Sequence, residues 1–429
     1  GQRLLGTGLQ QLEERRLLAA DFTLQLIHAS DLEGGVEAIS NAPSFAAIVD
    51  TFQQDTTAEI DGTATISAGD NYIPGPFFNA AGDRDMFRDG GVFNETYNTL
   101  FGTDQYDALR EGPGRVDISI MNVIGFDASA IGNHEFDQGS DAFESIIEED
   151  FRGDADGPTG DRWVGAQFPY LSANLDFSGD GDLGNLFTDD VKLNSDFATG
   201  PDESLAGNTS VAKIAPYTVI NAGTELDPEY IGVIGATTQL LESITSPTGT
   251  VGTAGNTNDM AALADVLNPQ IATLQLGIDG QANTSDDINK IILTSHLQQL
   301  ALEEELITLL DGVDIVIAGG SDTILADGND VLRPEDVGSN PESYPVIRTN
   351  ADGDTAAIVS TDGEYSYVGR LVVGFDAAGK LLADTIDEVV SGAYATIENV
   401  VTAVTGAVDT ATAIADSVKA TEVEKLTDA

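Results

Sequence analysis

The chain has 429 residues, enough for one large domain or two ordinary ones that each bury a core. Apolar residues make up 41% of it and charged residues 21%, a balance typical of globular rather than disordered proteins. The 18 Lys and Arg against 72 Asp and Glu give a net charge of −54, and so negative a surface repels nucleic acids and anionic lipids. We therefore expect no nucleic-acid partner, and an anionic substrate would need local cations to hold it.

The lack of cysteine, the lack of a long apolar run and the first 20 residues also indicate the class of protein. No cysteine is present, which excludes disulfides and thiolate metal sites. No apolar run approaches the roughly 20 residues that span a bilayer, so no membrane span is predicted. Residues 1–20 end in two alanines and are interpreted as the remnant of an export or processing segment, or alternatively as a solvated terminal helix. Together with the acidity, this favours an extracellular or periplasmic location.

Short apolar runs alternate along the chain with segments of helical periodicity. Strands are predicted at residues 22–28, 64–68, 128–131, 230–235, 291–294 and 314–318. Helices are predicted at residues 44–54, 115–124, 260–276 with a break at Pro269, and 297–310. Because such alternation requires crossover connections, the predicted fold class is α/β, with mixed β-sheets flanked by helices in layers.

Three regions depart from this alternation. Residues 151–202 and 247–258 are rich in Gly, Asp, Asn and Thr, and they predict long acidic loop excursions because the first is too long for an ordinary connection. Residues 367–382 predict a β-hairpin at a sheet edge. Residues 385–429 have a helical period without a strong apolar face, so we interpret them as a helical linker toward an absent C-terminal domain. Residues 21–384 then form the main domain.

Side chains of the metal-ligand type follow five of the predicted strands where each one ends. They stand in the segments His28-Ala-Ser-Asp31-Leu-Glu33, Gly69-Asp70-Asn71, Gly132-Asn133-His134-Glu135-Phe136-Asp137, Ser295-His296 and Gly319-Gly320-Ser321-Asp322. Open α/β sheets place their sites at the carboxyl ends of their strands, so we expect these segments to converge in one cleft. All three histidines of the chain fall in these segments, although for His28 alone a core position is an equal alternative.

The order of these segments resembles the motif order of the calcineurin-like metallophosphoesterases. The block Gly-Asn-His-Glu-Phe-Asp at 132–137 and the spacing between blocks are similar to the catalytic domain of the 5′-nucleotidase family. Within that family, segments such as HASDLEGG at 28–35, IGNHEFDQG at 131–139 and LTSHLQQ at 293–299 look like the large atypical bacterial alkaline phosphatases. The resemblance covers residues 21–384, which it implies to be a metallophosphoesterase catalytic domain.

The resemblance implies two divalent metal ions bridged by Asp70. Hydrolysis of a phosphate ester needs a nucleophilic hydroxide at neutral pH and cations over the phosphoryl oxygens, and a metal pair supplies both. The other implied ligands are Asp31, Glu33 and Asp322 for the first ion, and Asn133 and His296 for the second. His134 would donate a hydrogen bond toward the phosphoryl oxygens and the leaving group, and Asp137 would fix the tautomer and orientation of His134.

Three positions depart from the pattern of that family. Glu33 and Asp322 stand where most members have histidine, and Gly320 has no side chain to offer where another histidine is usual. The implied site therefore contains one imidazole ligand, His296, among oxygen ligands. Such a set favours harder ions, so among Mn, Mg, Ca, Fe and Zn we expect at least one ion other than zinc.

These features predict a phosphomonoesterase of the alkaline phosphatase type, which hydrolyses small-molecule phosphate esters through a water activated by the two metals. A 5′-nucleotidase or a cyclic-nucleotide phosphodiesterase is the enzymatic alternative. A second alternative is a catalytically silent, calcium-binding surface module, since acidic turns at 154–157, 180–182 and 350–354 resemble fragments of calcium loops. Against the silent module stands the intact block at 133–137.

Overall fold

The three-dimensional description comes from a computed structural model. It describes residues 20–55, 60–152, 160–200, 211–224, 228–247, 252–253, 257–339 and 341–429. The predicted export segment lies outside the described residues except for Ala20, and so does the acidic turn at 154–157.

The described part of the chain consists of short strands and helices in alternation. The strands are β1 (Phe22–Ala29), β2 (Gly62–Ser67), β3 (Ala128–Ala130), β4 (Asp150–Phe151), β5 (Asp161–Trp163), β6 (Tyr170–Leu171), β7 (Leu175–Asp176), β8 (Ile214–Ala215), β9 (Tyr217–Asn221), β10 (Tyr230–Thr237), β11 (Gly252–Thr253), β12 (Ile291–His296), β13 (Ile315–Gly319), β14 (Val346–Thr349), β15 (Thr355–Val359), β16 (Tyr367–Phe375), β17 (Leu381–Leu382) and β18 (Gly392–Ala395). The helices are α1 (Ala38–Gln53), α2 (Pro76–Ala80), α3 (Arg84–Phe87), α4 (Val92–Phe101), α5 (Arg115–Ile124), α6 (Ser140–Ile147), α7 (Leu241–Ile244), α8 (Met260–Leu274), α9 (Leu300–Ile307), α10 (Glu398–Thr405), α11 (Thr410–Asp416) and α12 (Val418–Asp428).

Two mixed sheets form the centre of the fold. The larger sheet has the order β17-β16-β1-β2-β3-β6-β8, and β18 also pairs with β16. In this sheet the strands β1, β2, β3, β6 and β8 are parallel to one another, whereas β16 runs antiparallel to β1. The second sheet has the order β14-β15-β13-β12-β10-β9, with parallel central strands and an antiparallel strand at each edge.

The sheets pack face to face, and helices cover their outer faces. Leu24 and Leu26 of β1 belong to the buried cluster that contains the second sheet, whereas Ile27 and Ala29 belong to the cluster that contains α1, α5 and α12. This alternation follows from the two-residue period of a strand. Helices α8 and α9 contribute to the cluster of the second sheet. The predicted layered α/β fold is confirmed.

All six predicted strands are present, and two helices extend past prolines. Helix α1 begins at Ala38 and contains Pro43, and α8 continues through Pro269, where the sequence predicts a break. Pro269 has no backbone N–H to donate, so the carbonyl oxygen of Asp265 loses its partner in the helix. Asp265 is exposed, and water can reach this oxygen instead. The buried leucines of α8 pack on both sides of Pro269, so packing maintains the helix.

The segment 151–202 differs from a simple loop excursion. It contains β6, whose Tyr170 and Leu171 pair in parallel with β3 and are fully buried. The indole of Trp163 in β5 is also buried and donates to the carbonyl oxygen of Ile146 at 2.7 Å. A two-residue strand between polar segments has no periodicity to detect, so the sequence did not predict it.

The region 385–429 also differs from the predicted helical linker. Strand β18 extends the larger sheet, and α12 packs on α1 with Ala420, Val423 and Leu426 buried in the same cluster. Ser417 donates to Oδ2 of Asp50 at 2.7 Å, which fastens the start of α12 to α1. The region is thus part of the domain that the main sheets form. Among the described residues, no helix has the length and apolar character that crossing a bilayer requires.

Candidate metal centre and active site

The carboxyl ends of β1, β2 and β3 in the larger sheet meet those of β12 and β13 in the second sheet. Thr294 in β12 donates to the carbonyl oxygen of Ser67 at 2.9 Å, and a ring nitrogen of His296 lies 2.8 Å from the carbonyl oxygen of Ala68. Side chains that follow these strands therefore point into one shared region.

Asp31, Asp70 and His296 form one group of candidate ligands, and all three are buried. Nε2 of His296 lies 2.8 Å from Oδ2 of Asp70, and Nδ1 of His296 lies 3.5 Å from Oδ1 of Asp31. Asp31 also accepts the backbone N–H of Gly320 at 2.8 Å. Two carboxylates and an imidazole at this spacing are a donor set that suits a divalent cation.

The two ring nitrogens of His296 have different surroundings. Nδ1 is placed to donate to the carbonyl oxygen of Ala68, which leaves Nε2 as the ring nitrogen that can bind a cation once its proton has left. Nε2 is fully buried and lies 2.8 Å from Oδ2 of Asp70, without a well-aligned hydrogen bond. A buried lone pair without a partner is costly unless an ion or a proton satisfies it, so these residues fit a metal ion.

Glu33, Asp70 and His134 form a second group of candidate ligands. Nε2 of His134 lies 4.0 Å from Oε1 of Glu33 and 4.0 Å from Oδ2 of Asp70. Asp70 therefore belongs to both groups, which is the position that a bridging carboxylate requires.

His134 is held in place by a chain of hydrogen bonds. Its Nδ1 lies 2.5 Å from Oδ2 of Asp137, and Oδ1 of Asp137 accepts the hydroxyl of Thr245 at 2.7 Å. The backbone N–H of His134 donates to Oδ1 of Asp70 at 2.7 Å. Nε2 is thus directed toward the shared region. Thr245 was not identified from the sequence, because it lies 108 residues beyond Asp137 and outside every motif.

The remaining predicted ligands lie at the edge of the two groups. Asn133 is buried, and its Oδ1 accepts Nε2 of Gln298 at 2.5 Å. Asp322 is exposed, and its charge acts on Glu33 and on Asp31. Asp322 is thus close enough to act electrostatically on a member of each group, but it belongs to neither group.

His28 does not take part in either group. It is fully buried, its Nε2 lies 2.8 Å from the hydroxyl of Tyr344, and burial lowers its pKa to about 3. His28 is therefore a neutral core residue, and the core alternative for it is the correct one. It shares the strand face of Leu24 and Leu26, which points between the sheets rather than to the strand ends.

Three of the predicted ligands have a left-handed backbone conformation. The φ angles are 37° for Glu33, 45° for Asp70 and 48° for Asp322. Such angles cost a residue other than glycine about 1–3 kcal/mol, and they cluster at functional sites. Gly132 approaches Asp70 so closely that a Cβ on it would lie 2.1 Å from Oδ1 of Asp70. The loops are thus shaped around these carboxylates.

Glu135 organises the loops although it lies outside both ligand groups. Its buried carboxylate accepts the backbone N–H groups of Asp70, Asn71 and Gly132 at 3.2, 2.9 and 2.8 Å. Glu135 thereby joins the loop after β2 to the loop after β3. Its position inside the block at 132–137 could have indicated that Glu135 is functional, but no role was predicted for it from the sequence.

The carboxylates crowd one another in this buried region. Burial raises the pKa of Glu33 to about 7, and the charges of Asp322 and Asp70 add to the rise. Burial by itself would lower the pKa of His296, but Asp70 and Asp31 raise it to about 10. The region thus holds protons that a divalent cation would have to displace.

Affinity for Mn²⁺ is therefore expected to increase with pH between about 6 and 8. A proton on Glu33 must leave before a cation binds, which adds up to about tenfold in affinity per pH unit until the pH exceeds its pKa of about 7, and the proton on His296 adds a similar dependence up to its pKa of about 10. Isothermal titration calorimetry at pH 6, 7 and 8, in buffers with different ionisation enthalpies, measures both the affinity and the number of protons released. An affinity that stays constant across this range without proton release would contradict this expectation.

Sequence comparisons find relatives among nucleotide phosphoesterases. No protein-family model matches the chain. The chain is 26% identical to the 5′-nucleotidase of Bos taurus over 263 residues, which cover 61% of this chain and 34% of that protein. It is also 26% identical over 272 residues to the trifunctional nucleotide phosphoesterase protein YfkN of Bacillus subtilis, covering 63% of this chain and 15% of that protein. The chain thus spans about a third or less of the length of these relatives.

Solved structures show the same fold. The 5′-nucleotidase precursor of Thermus thermophilus matches with a TM-score of 0.52 and 22% identity, over 84% of this chain and 53% of that one. The NAD nucleotidase of Haemophilus influenzae matches with a TM-score of 0.50 and 19% identity, over 85% of this chain and 49% of that one. A special closeness to alkaline phosphatases is not shown. The chain is similar in sequence to 5′-nucleotidases and nucleotide phosphoesterases, and it has the fold of the two nucleotidase structures.

Proposed function

We propose that the chain is a metal-dependent phosphoesterase that releases phosphate from nucleotides and similar small phosphate esters. The observation that supports this most strongly is the position of Asp70, which belongs to two ligand groups beside the His134–Asp137 pair. The sequence relatives named above favour nucleotides over the broad alkaline phosphatase specificity that the sequence first indicates. The acidity of the chain supports action outside the cytoplasm, in an extracellular or periplasmic location.

Two divalent cations would be held by the predicted ligands, which the two groups divide differently, because Asp31 lies with His296 and Glu33 lies with His134. Asp70 would serve both, with the predicted first set of Asp31, Glu33 and Asp322 and the predicted second set of Asn133 and His296. When bound, the ions would supply positive charge over the phosphoryl oxygens and a nucleophilic water at neutral pH.

The charge of the region supports a requirement for such ions. The carboxylates of Asp31, Glu33, Asp70 and Asp322 act on one another electrostatically, and they would repel a phosphate group. The positive charge that His134 and His296 can carry is smaller than the negative charge of these four carboxylates. A phosphate ester can therefore approach only where added cations reverse the local charge.

His134 is proposed to act as a proton donor. Burial lowers the pKa of His134, but the charges of Asp70, Asp137 and Glu33 outweigh this and raise it. Because Nδ1 faces Asp137, the proton available to substrate is the one on Nε2, which can donate to a phosphoryl oxygen or to the departing oxygen. Asp137 and Thr245 orient the ring.

The test is phosphate release by the full chain from 5′-AMP and from p-nitrophenyl phosphate, with p-nitrophenol release from the diester bis-p-nitrophenyl phosphate measured beside it. We expect turnover with Mn²⁺, its loss after EDTA treatment, its return on addition of Mn²⁺, and a higher kcat/KM for 5′-AMP than for p-nitrophenyl phosphate. Equal values for the two monoesters would favour the broad monoesterase instead. No turnover with Mn²⁺, Mg²⁺, Ca²⁺, Zn²⁺ or Fe²⁺ would overturn the proposal in favour of the catalytically silent module.

A further inference from the structure

The side chain of Gln298 lies among the candidate metal ligands, although no role was predicted for it from the sequence. Gln298 follows His296, the last residue of β12, by two positions. Its Nε2 lies 2.5 Å from Oδ1 of Asn133, and its backbone N–H donates to the carbonyl oxygen of Gly319 at 3.3 Å. The carboxamide is thus held between the loops after β3, β12 and β13.

The carboxamide of Gln298 occupies the space beside Gly320. A Cβ on Gly320 would lie 2.5 Å from Nε2 of Gln298 and 2.8 Å from Nε2 of His296. Both nitrogen atoms are therefore close to the place where the side chain of a residue other than glycine would begin at position 320. Gly320 cannot supply a ligand atom there, and Gln298 is the polar side chain that reaches the space.

The backbone of Gln298 is strained at this position. Its φ angle of 74° is one that glycine adopts freely and that other residues rarely adopt. The predicted ligands Glu33, Asp70 and Asp322 share this property with it. Strain of this kind persists where surrounding structure fixes it, and it clusters at functional sites.

We propose that Gln298 binds the second divalent cation through Oε1, together with Asn133, His296 and the shared Asp70. A half turn of the terminal amide exchanges Nε2 and Oε1, because the two ends have almost the same shape, and a small shift of the side chain then relieves the close approach to Oδ1 of Asn133. It brings two amide oxygens side by side near Nε2 of His296. This inference rests on the metal pair of the proposed function and adds the ligand that Gly320 does not provide.

The added ligand has a consequence for metal preference. The second cation would have oxygen donors from Asp70, Asn133 and Gln298, and one nitrogen donor from His296. A set with three oxygens favours Mn²⁺ or Mg²⁺ over Zn²⁺ more than a set with a further imidazole would. The second ion, like the first with its carboxylate ligands, is then expected not to be zinc.

Calorimetric titration of the EDTA-treated full chain with Mn²⁺ tests the role of Gln298. We expect two Mn²⁺ per chain for the wild type. Gln298→Gly should weaken the second Mn²⁺ by at least about tenfold while the melting temperature does not fall, because glycine suits the backbone angle. Gln298→Glu should bind the second Mn²⁺ at least as tightly as the wild type, because a carboxylate oxygen replaces the amide oxygen.

Gln299→Ala is the matched control, since Gln299 is the exposed neighbour of Gln298 and should leave both affinities unchanged. Unchanged Mn²⁺ affinities in Gln298→Gly would overturn the inference and reduce Gln298 to a space-filling residue. Equal weakening in Gln298→Gly and Gln298→Glu would also overturn it, because glutamate cannot donate to Asn133 and the role would then be positioning. Fewer than two Mn²⁺ in the wild type would overturn the metal pair and the proposed function together with it.

Discussion

Replacing His134 with alanine is expected to lower kcat for 5′-AMP hydrolysis by about 100- to 10,000-fold. The range is that of a lost proton donor in the transition state. His134 lies in the second group of candidate ligands, but we propose that it acts on the substrate rather than on a metal, so the variant should still bind two Mn²⁺ and retain the wild-type melting temperature. Steady-state kinetics at saturating Mn²⁺, together with metal content by elemental analysis, separate a chemical loss from a loss of ions.

Asp137→Asn provides the graded comparison for the His134 variant. It keeps a hydrogen-bond acceptor within reach of Nδ1 of His134, but it removes the charge that raises the pKa of that ring. The variant should therefore lose less activity than His134→Ala, and its activity should fall at lower pH than that of the wild type. If His134→Ala retained more than about a tenth of wild-type kcat, the proposed role of His134 would be wrong.

Asp70→Asn is expected to have the largest effect on metal binding. The amide keeps an oxygen that can accept the N–H of His134, but it loses the charge and the second carboxylate oxygen that two ions would share. We expect Mn²⁺ content to drop from two ions per chain to one or none, and kcat to fall by at least about 100-fold. Elemental analysis after dialysis against Mn²⁺ measures the first effect and the 5′-AMP assay the second.

Asp265→Asn serves as the matched control for the Asp70 variant. Asp265 is exposed on α8, so the change removes the same charge away from the ligand groups. It should leave metal content and activity at the wild-type values. Two Mn²⁺ per chain in Asp70→Asn would contradict the bridging role.

The sequence predicted the elements on which the site depends because those elements have strong local signals. The strands before Asp31, Asp70, Asn133 and His296 are apolar and bounded by Gly, Ser, Asp or Asn, and parallel strands place such residues at one edge. His28 shows the limit of this argument. His28 was a candidate because it lies near the end of a strand. The two-residue period of β1, however, places its side chain with Leu24 on the face between the sheets.

Contacts between distant segments explain most of what the sequence did not predict. In α12 the buried positions include the small Ala420, so the helix lacks the broad apolar face that sequence patterns detect. Its position depends on long-range contacts, such as Lys419 donating to the carbonyl oxygen of Ile124 at 2.8 Å. The same reason applies to Gln298, whose role depends on what position 320 lacks.

The most direct test of the metal pair is a crystal of the full chain grown with Mn²⁺ and measured for anomalous scattering. We expect two anomalous peaks about 3.5–4 Å apart, with the Asp70 carboxylate in contact with both and with Asp31 and His296 around them. A single peak, or two peaks that do not share Asp70, would contradict the account.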